Sequence, residues 1–337
     1  MTTKGWTMNF LKSLTKKAKQ QQRAIVFPEV AFSDRVLKAV LYLGKHKICN
    51  PILIGDESSL IMQNKKLNRF KIINPKTSSL TQDLAVELYK ARQHKGLTQE
   101  QANELILDPF YFSTMLVKCG YADGMIGGAE VSTARNLKPA LQLLKTKGDG
   151  FVNSYTMFVG KNDLTSSPFF MTDCGLIEEP TLEQLPVMAE NVCKELRTFT
   201  DLTPKVAFLS YSTCGSAKSE STLKMQQANI KFAQNNPQIA SLGEVQLDAA
   251  LLEHVAKHKL GNDKPYYGKA NVLVFPDLNS ANICYKAISY FGKLYAIGPI
   301  TVGLDKPVND LSRGCSVKDI IYLTAITVLQ CKDEVKE

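Results

Sequence analysis

From residue 23 onward, short apolar runs alternate with segments of helical period, and this alternation restricts the chain to a few architectures. "RAIVFP" (23–28) predicts a strand and is followed by the helical pattern "AFSDRVLKAVLYLGKH". "PILIGD" (51–56) and "FKIIN" (70–74) predict two more strands. "LTQDLAVELYKARQ" and "LTQEQANELILD" predict helices, each opened by a Thr as N-cap. "DPFYFSTMLVKCG" predicts a helix stopped by Gly120, followed by the strand "ADGMIGG" and the helix "VSTARNLKPALQLL". Strands separated by helices imply a parallel or mixed sheet covered by helices.

The texture changes around "KTKGDG" (145–150). "FVNSYTMFVGKND" and "SPFFMTDCG" have no helix between them and predict neighbouring antiparallel strands. Alternation then resumes: helix 181–198, strand 205–211, a helix from about 218, helix 247–258, strand 271–277, helix 280–291, strand 294–300 and a closing helix. A chain of 337 residues exceeds one ordinary core, so two domains are expected, with a boundary near residue 147. The fold class is α/β: two α/β domains with a ligand cleft between them.

Several function classes are excluded by what the chain lacks. Its longest apolar run, Ile320 to Leu329, is interrupted by Thr324 and Thr327 and is about half of the roughly 20 residues a membrane helix needs. The first 23 residues have no compact apolar stretch ahead of a small-residue cleavage site, so a cytoplasmic protein is expected. Eight cysteines are scattered without a C-x-x-C pair, which predicts buried, reduced thiols rather than a zinc cage or disulfide framework. The four histidines show no metal-binding spacing, and no metal is expected. The net charge of +9 is concentrated at the start: Lys4, Lys12, Lys16, Lys17, Lys19 and Arg23 precede any acid. With Phe10, Leu11 and Leu14 at helical spacing, that stretch predicts an amphipathic helix on the body. No nucleic-acid module accompanies it.

The richest cluster is "LSRGCSVKD" (311–319). Ser316-x-x-Asp319 fits a capping box, in which Asp319 does nothing but satisfy backbone N–H groups. The chemical reading uses the neighbours. Arg313, followed by Gly314, sets a guanidinium at a turn before a helix N-terminus, where it can grip a phosphate bidentately. Ser312 can donate to a developing oxyanion, and Asp319 can accept a proton from a thiol or hydroxyl held there. The two roles pull against each other, because a carboxylate already satisfied by N–H donors is a weaker base.

Three other stretches invite ligands. In "ADGMIGGAEVSTARNLKPAL", Gly127 and Gly128 let backbone N–H groups approach an anion, and Ser132 and Thr133 offer hydroxyls. The same glycines also suit an ordinary tight turn, and neither a dinucleotide nor a nucleoside-triphosphate loop is present. Arg135 and Lys138 share one helical face, as a solvated pair or as phosphate ligands. "FLSYSTCGSAKSE" is a strand ending in a small hydroxyl-rich loop, either a binding edge or a well-capped turn. Cys214 within it has no His nearby in sequence to activate it.

Taken in order, "VFPEVAFSDRVLKAV", "KARQHKGLT", "DPFYFSTMLVKCGYADGMIGGAEVSTARNLKPALQ", "LSYSTCGSAKSE", "EVQLDAAL", "NVLVFPDLNSANICYKAI" and "KPVNDLSRGCSVKDI" resemble phosphate acetyltransferase (phosphotransacetylase) over nearly the whole chain after residue 24. The resemblance implies reversible transfer of an acetyl group between coenzyme A and inorganic phosphate. Coenzyme A is then a substrate, and neither cofactor nor metal is implied. It also implies a homodimer, the fold of isocitrate and isopropylmalate dehydrogenases, and an interdomain active site. The domains become 1–146 with 300–337, around an inserted 147–299. Asp319 would deprotonate the coenzyme A thiol, Arg313 would bind phosphate, and Ser312 would stabilise the transition state. Arg92 matches an arginine implicated in coenzyme A binding, and Lys138 stands where a second such arginine is expected. Lys keeps the charge but not the fork, a loss that Arg135 could offset. Arg35 matches a basic position with no role attached. Phosphate butyryltransferase is the alternative of the same reaction type. A metal- and NAD-dependent dehydrogenase of related fold would need an acidic metal cluster that the sequence lacks, and a nucleic-acid binder would rest on the basic start alone.

Overall fold

The structure is a computed structural model that describes residues 3–146, 150–160, 167–292 and 294–331. The expected boundary near 147 lies outside the described residues. The chain separates into two compact units, Leu11–Gly150 with Leu304–Glu337 and Met1–Phe10 with Phe151–Gly303.

In the first unit, five strands form a wholly parallel sheet: β1 (Ala24–Phe27), β2 (Asn50–Ile54), β3 (Lys71–Ile73), β4 (Gly124–Gly127) and, from the end of the chain, β11 (Val308–Asp310). Their spatial order is β11-β4-β1-β2-β3. The chain therefore steps to one side of β1 for β2 and β3, then to the other for β4 and β11. That reversal leaves a crevice at the carboxyl ends of β1 and β4, where ligands of open α/β sheets bind. Strand β1 reads Ala-Ile-Val-Phe because helices cover both faces of a parallel sheet; Ile25, Val26 and Phe27 are fully buried.

The helices follow from local chemistry. Asp34–Lys45 starts at Ser33, whose hydroxyl accepts from the Val36 N–H, and it buries Val36, Leu37, Val40 and Leu43. Pro109–Lys118 has Asp108 as N-cap and Pro at its first position, and it buries Phe110 and Phe112, each worth about 1.5–3 kcal/mol. Gly120, just beyond it, adopts φ +79 and ends it as expected. The N-terminal helix Thr3–Gln21 buries Leu11, Leu14 and Ala18. Thr98 caps its helix, but Thr81 does not: the N-cap there is Leu80, and the Thr81 hydroxyl donates to the Pro75 carbonyl.

The second unit holds a mixed six-stranded sheet: β5 (Asn153–Val159), β6 (Phe169–Thr172), β7 (Lys205–Leu209), β8 (Ala240–Val245), β9 (Val272–Val274) and β10 (Tyr295–Val302). Its order is β10-β5-β6-β9-β7-β8. β5 and β6 pair antiparallel, as the missing helix between them predicts, and β9, β7 and β8 extend the sheet in parallel. The return to the first unit comes after β10, which runs to Val302 rather than stopping at 300. The predicted helix 247–258 is two helices, Leu247–Leu251 and Glu253–Leu260, broken where Leu252 takes an extended conformation. Cys214 is exposed rather than buried, on a loop residue with φ +49. Among the described residues, no helix is long and apolar enough to cross a membrane.

Candidate active site

The carboxyl ends of β1, β4 and β11 each lead into a polar segment. After β1 comes Glu29, fully buried, whose two carboxylate oxygens accept from the Ala129 and Glu130 N–H groups at 2.8 and 2.9 Å. Burial raises its carboxyl above the ordinary range, and the N–H donors only partly oppose this. Glu29 thus braces the turn after β4 that the sequence marks with Gly127 and Gly128.

Those glycines are required by packing. A Cβ on Gly127 would collide with Asn136 Oδ1; one on Gly128, at φ +95, would collide with Asp310 Oδ1. The turn is therefore pressed against Asp310 at the end of β11. Asp310 is almost entirely buried and accepts from the Thr133 hydroxyl at 2.6 Å and from Asn136 Nδ2 at 2.9 Å. Burial lifts its carboxyl to about 6, against the pull of those two bonds and of the nearby Arg313 charge. Arg313 Nη1 in turn donates to Thr133 Oγ1 at 3.4 Å.

Of the residues singled out in the sequence, Gly127 ends β4, and Gly128, Ser132, Thr133, Ser312, Arg313 and Asp319 lie on the segments that follow β4 and β11. Ser132 is committed to its helix, Thr133–Leu143, as the N-cap that accepts from the Arg135 N–H. Thr133 has given its hydrogen to Asp310, so it serves as an acceptor only. Ser312 and Arg313 are exposed, and the Ser312 hydroxyl oxygen accepts from the Gly314 N–H at 3.3 Å. The capping box is formed: the Ser316 N–H donates to Asp319 Oδ2 at 2.7 Å, and the Asp319 N–H to Ser316 Oγ at 3.3 Å. Asp319 Oδ2 is engaged by that bond, so the carboxylate named as candidate base is also the helix cap.

Arg92 and Lys138 share a cavity. They line one pocket of about 230 Å³ together with Lys95, Leu97, Tyr111 and Gln142. Arg135 is not among the residues lining it: its guanidinium is paired with Asp108 and lies over the Phe110 ring at 5.5 Å. Sequence reasoning missed Glu29 and Asp310, because a carboxylate is expected at the surface. The available signal for Glu29 was its position after the apolar run "AIVFP"; Asp310, in "KPVND", carried no such signal. Sequence reasoning also left Arg35 without a role, although Arg35 makes five hydrogen bonds to the two site segments.

Chemically, the arrangement offers an exposed guanidinium and hydroxyl for an anion, a carboxylate in the first turn of the helix that follows, and a separate cationic pocket. Cys315 is no nucleophile in this state, since burial pushes its thiol up to about 11. Among the described residues, no group of three or more His, Cys, Asp or Glu is placed to hold a metal ion.

The chain matches the family model described as phosphate acetyl/butaryl transferase over residues 9–328. It is 42% identical to a phosphate acetyltransferase of Acetivibrio thermocellus over 330 residues, covering 96% of this chain and 99% of that protein. A phosphate acetyltransferase of Bacillus subtilis is 40% identical over 311 residues, covering 91% and 94%. Among solved structures, a phosphotransacetylase from Streptococcus pyogenes superposes with a TM-score of 0.87 at 37% identity, covering 95% of this chain and 98% of that one. The EutD phosphotransacetylase from Staphylococcus aureus gives 0.86 at 37%, covering 97% and 99%. The chain belongs to the phosphate acetyl/butaryl transferase family.

Proposed function

We infer that the chain is a phosphate acetyltransferase, which moves an acetyl group reversibly between coenzyme A and inorganic phosphate. The observation that carries the site assignment is the meeting of two segments far apart in sequence. The turn 127–133 and the segment 310–319 are joined through Thr133, Asp310 and Arg313 at the carboxyl edge of a parallel sheet. The relatives' names favour acetyl over butyryl transfer.

In the direction of acetyl-CoA formation, the coenzyme A sulfur attacks the carbonyl carbon of acetyl phosphate. Its thiol, near the ~8.5 of a cysteine, is mostly protonated at neutral pH, so a positioned base contributes typically about 10²–10⁴-fold. Asp319 takes that proton. The carbonyl oxygen gains charge, which Ser312 and Arg313 stabilise, and collapse of the adduct breaks the C–O bond and releases phosphate onto Arg313. Arg92 and Lys138 hold phosphates of coenzyme A in their shared pocket. No cofactor or metal takes part in this scheme.

The protein works in the cytoplasm as a homodimer. The helix Leu278–Phe291 supports an assembly, since Ile283, Tyr290 and Phe291 are exposed at 68%, 83% and 91%. Light scattering of the purified protein tests this, and a monomer refutes it.

The test of function is acetyl-CoA formation from acetyl phosphate and coenzyme A, for wild type, Asp319→Asn and Ser316→Ala. Asp319→Asn should lose orders of magnitude in rate yet melt nearly normally. Ser316→Ala should mainly lose stability, by about 1 kcal/mol. A wild type inert toward acetyl, propionyl and butyryl substrates overturns the assignment.

A further inference from the structure

Arg35 lies in the first turn of the helix Asp34–Lys45, and its guanidinium spans two loops that chain order keeps far apart. Nη1 donates to the carbonyls of Arg313 at 2.7 Å and Cys315 at 2.8 Å. Nη2 donates to the Ala129 carbonyl at 2.7 Å and to Glu130 Oε1 at 2.8 Å. The Ser33 hydroxyl donates to the same Glu130 oxygen at 2.7 Å and fixes that carboxylate. Cys315 Sγ is a further acceptor for Nη1 at 3.7 Å, so both Nη groups are engaged by the two loops.

We propose that Arg35 is a positioning residue for acyl transfer: it clamps the Ser312–Ser316 segment to the 128–130 turn and so sets where the Arg313 side chain meets phosphate. This rests on reading the chain as a phosphate acetyltransferase. The clamp grips backbone carbonyls on both sides of Gly314, a residue with nothing but the Ser312 hydroxyl within 4 Å of where a Cβ would stand. Inside the turn the Cys315 N–H donates to the Ser312 carbonyl at 2.9 Å and the Gly314 N–H to the Ser312 hydroxyl, and the hydrogen bonds of Arg35 add the tie from this turn to the 128–130 segment. A lysine keeps the charge, but its single nitrogen cannot present four donors in one plane to two loops. Arg35 does not line the Arg92–Lys138 pocket, so its effect falls on the phosphate side of the reaction.

The experiment compares wild type, Arg35→Lys, Arg35→Gln and Glu130→Gln by steady-state kinetics against acetyl phosphate and coenzyme A, by melting temperature, and by amide hydrogen–deuterium exchange. Arg35→Lys is expected to lower kcat/KM for acetyl phosphate on the order of 10²-fold, the scale of a 1 Å misplacement, while KM for coenzyme A stays within about twofold. Arg35→Gln should match it, and exchange at 314–316 should quicken while the Thr81–Arg92 helix stays unchanged. If the Arg35 variants do not fold, Glu130→Gln, on an exposed residue, should show the same pattern more weakly. Normal kinetics in Arg35→Lys, a loss confined to the coenzyme A KM, or unchanged exchange at 314–316 overturns the proposal. A wild type without acetyltransferase activity overturns the functional reading instead, and exchange at 314–316 still judges the clamp.

Discussion

The Thr133 hydroxyl gives its hydrogen to Asp310 Oδ2 at 2.6 Å, so its oxygen faces Arg313 Nη1 purely as an acceptor. One buried carboxylate thereby decides the polarity of a hydroxyl, and the hydroxyl helps aim the guanidinium. Thr133→Val is expected to cut kcat/KM for acetyl phosphate on the order of tenfold, as for a lost hydrogen bond to a charged group, and Thr133→Ser to restore it. Equal activity in the Val and Ser variants would show that the hydroxyl does not aim Arg313.

Asp310 ionises late. Its folded carboxyl stands at about 6 against an ordinary 3.8, because it is buried. Between those values the folded chain binds a proton that the unfolded chain has released. The stabilising contribution of Asp310 is therefore full below about 4 and lost as pH rises through about 6, by on the order of 3 kcal/mol. Urea melts of wild type and Asp310→Asn at pH 4 and pH 7 read this directly. The stability of wild type relative to the variant should fall as pH rises, and a difference that does not change with pH contradicts the burial argument.

Lys138 supplies charge to its pocket without a fork. Lys138→Arg is expected to lower the coenzyme A KM by about threefold with kcat unchanged, because a guanidinium binds phosphate bidentately. Arg135→Ala should leave that KM within about twofold, since Arg135 is engaged by Asp108 and Phe110 outside the pocket lining. A large rise in Arg135→Ala would place coenzyme A on a different path.

Cys214 is the exposed thiol among the eight cysteines. It should react first with a thiol reagent under native conditions, identified by mass spectrometry. Cys214→Ser should keep kcat within about twofold, because direct attack by coenzyme A needs no enzyme thiol. Loss of a burst-phase acetyl-enzyme in that variant would instead reveal a covalent route.

What the sequence makes legible is local. The capping box at Ser316 and Asp319, the glycine stop at Gly120 and the antiparallel step from β5 to β6 all follow from neighbouring residues. The two strands that escaped notice have the wrong composition. β8, "ASLGEV", is interrupted by Gly and Glu, and β11, "VND", is two-thirds Asn and Asp, residues depleted in strands. Both are held by partners elsewhere in the chain: β8 by its parallel pairing with β7, and β11 by side chains, since Asn309 Nδ2 donates to Thr327 and Gln330 and Asp310 is matched by Thr133 and Asn136. The same holds for the site. Ser312, Arg313 and Asp319 stand out as a motif, whereas Glu29, Asp310 and Arg35 acquire meaning only when β1, β4 and β11 lie side by side.

The late arrival of β11 sets when Thr133 can first meet Asp310. Thr133 and Asp310 are 177 positions apart, and the whole second sheet is made between them. A chain emerging from the ribosome can present β1 to β4 early, but the partners of Thr133 arrive only with β11. The bond between Thr133 and Asp310 thus forms only after the second sheet has been made, which makes the junction of β4 and β11 a late product of synthesis.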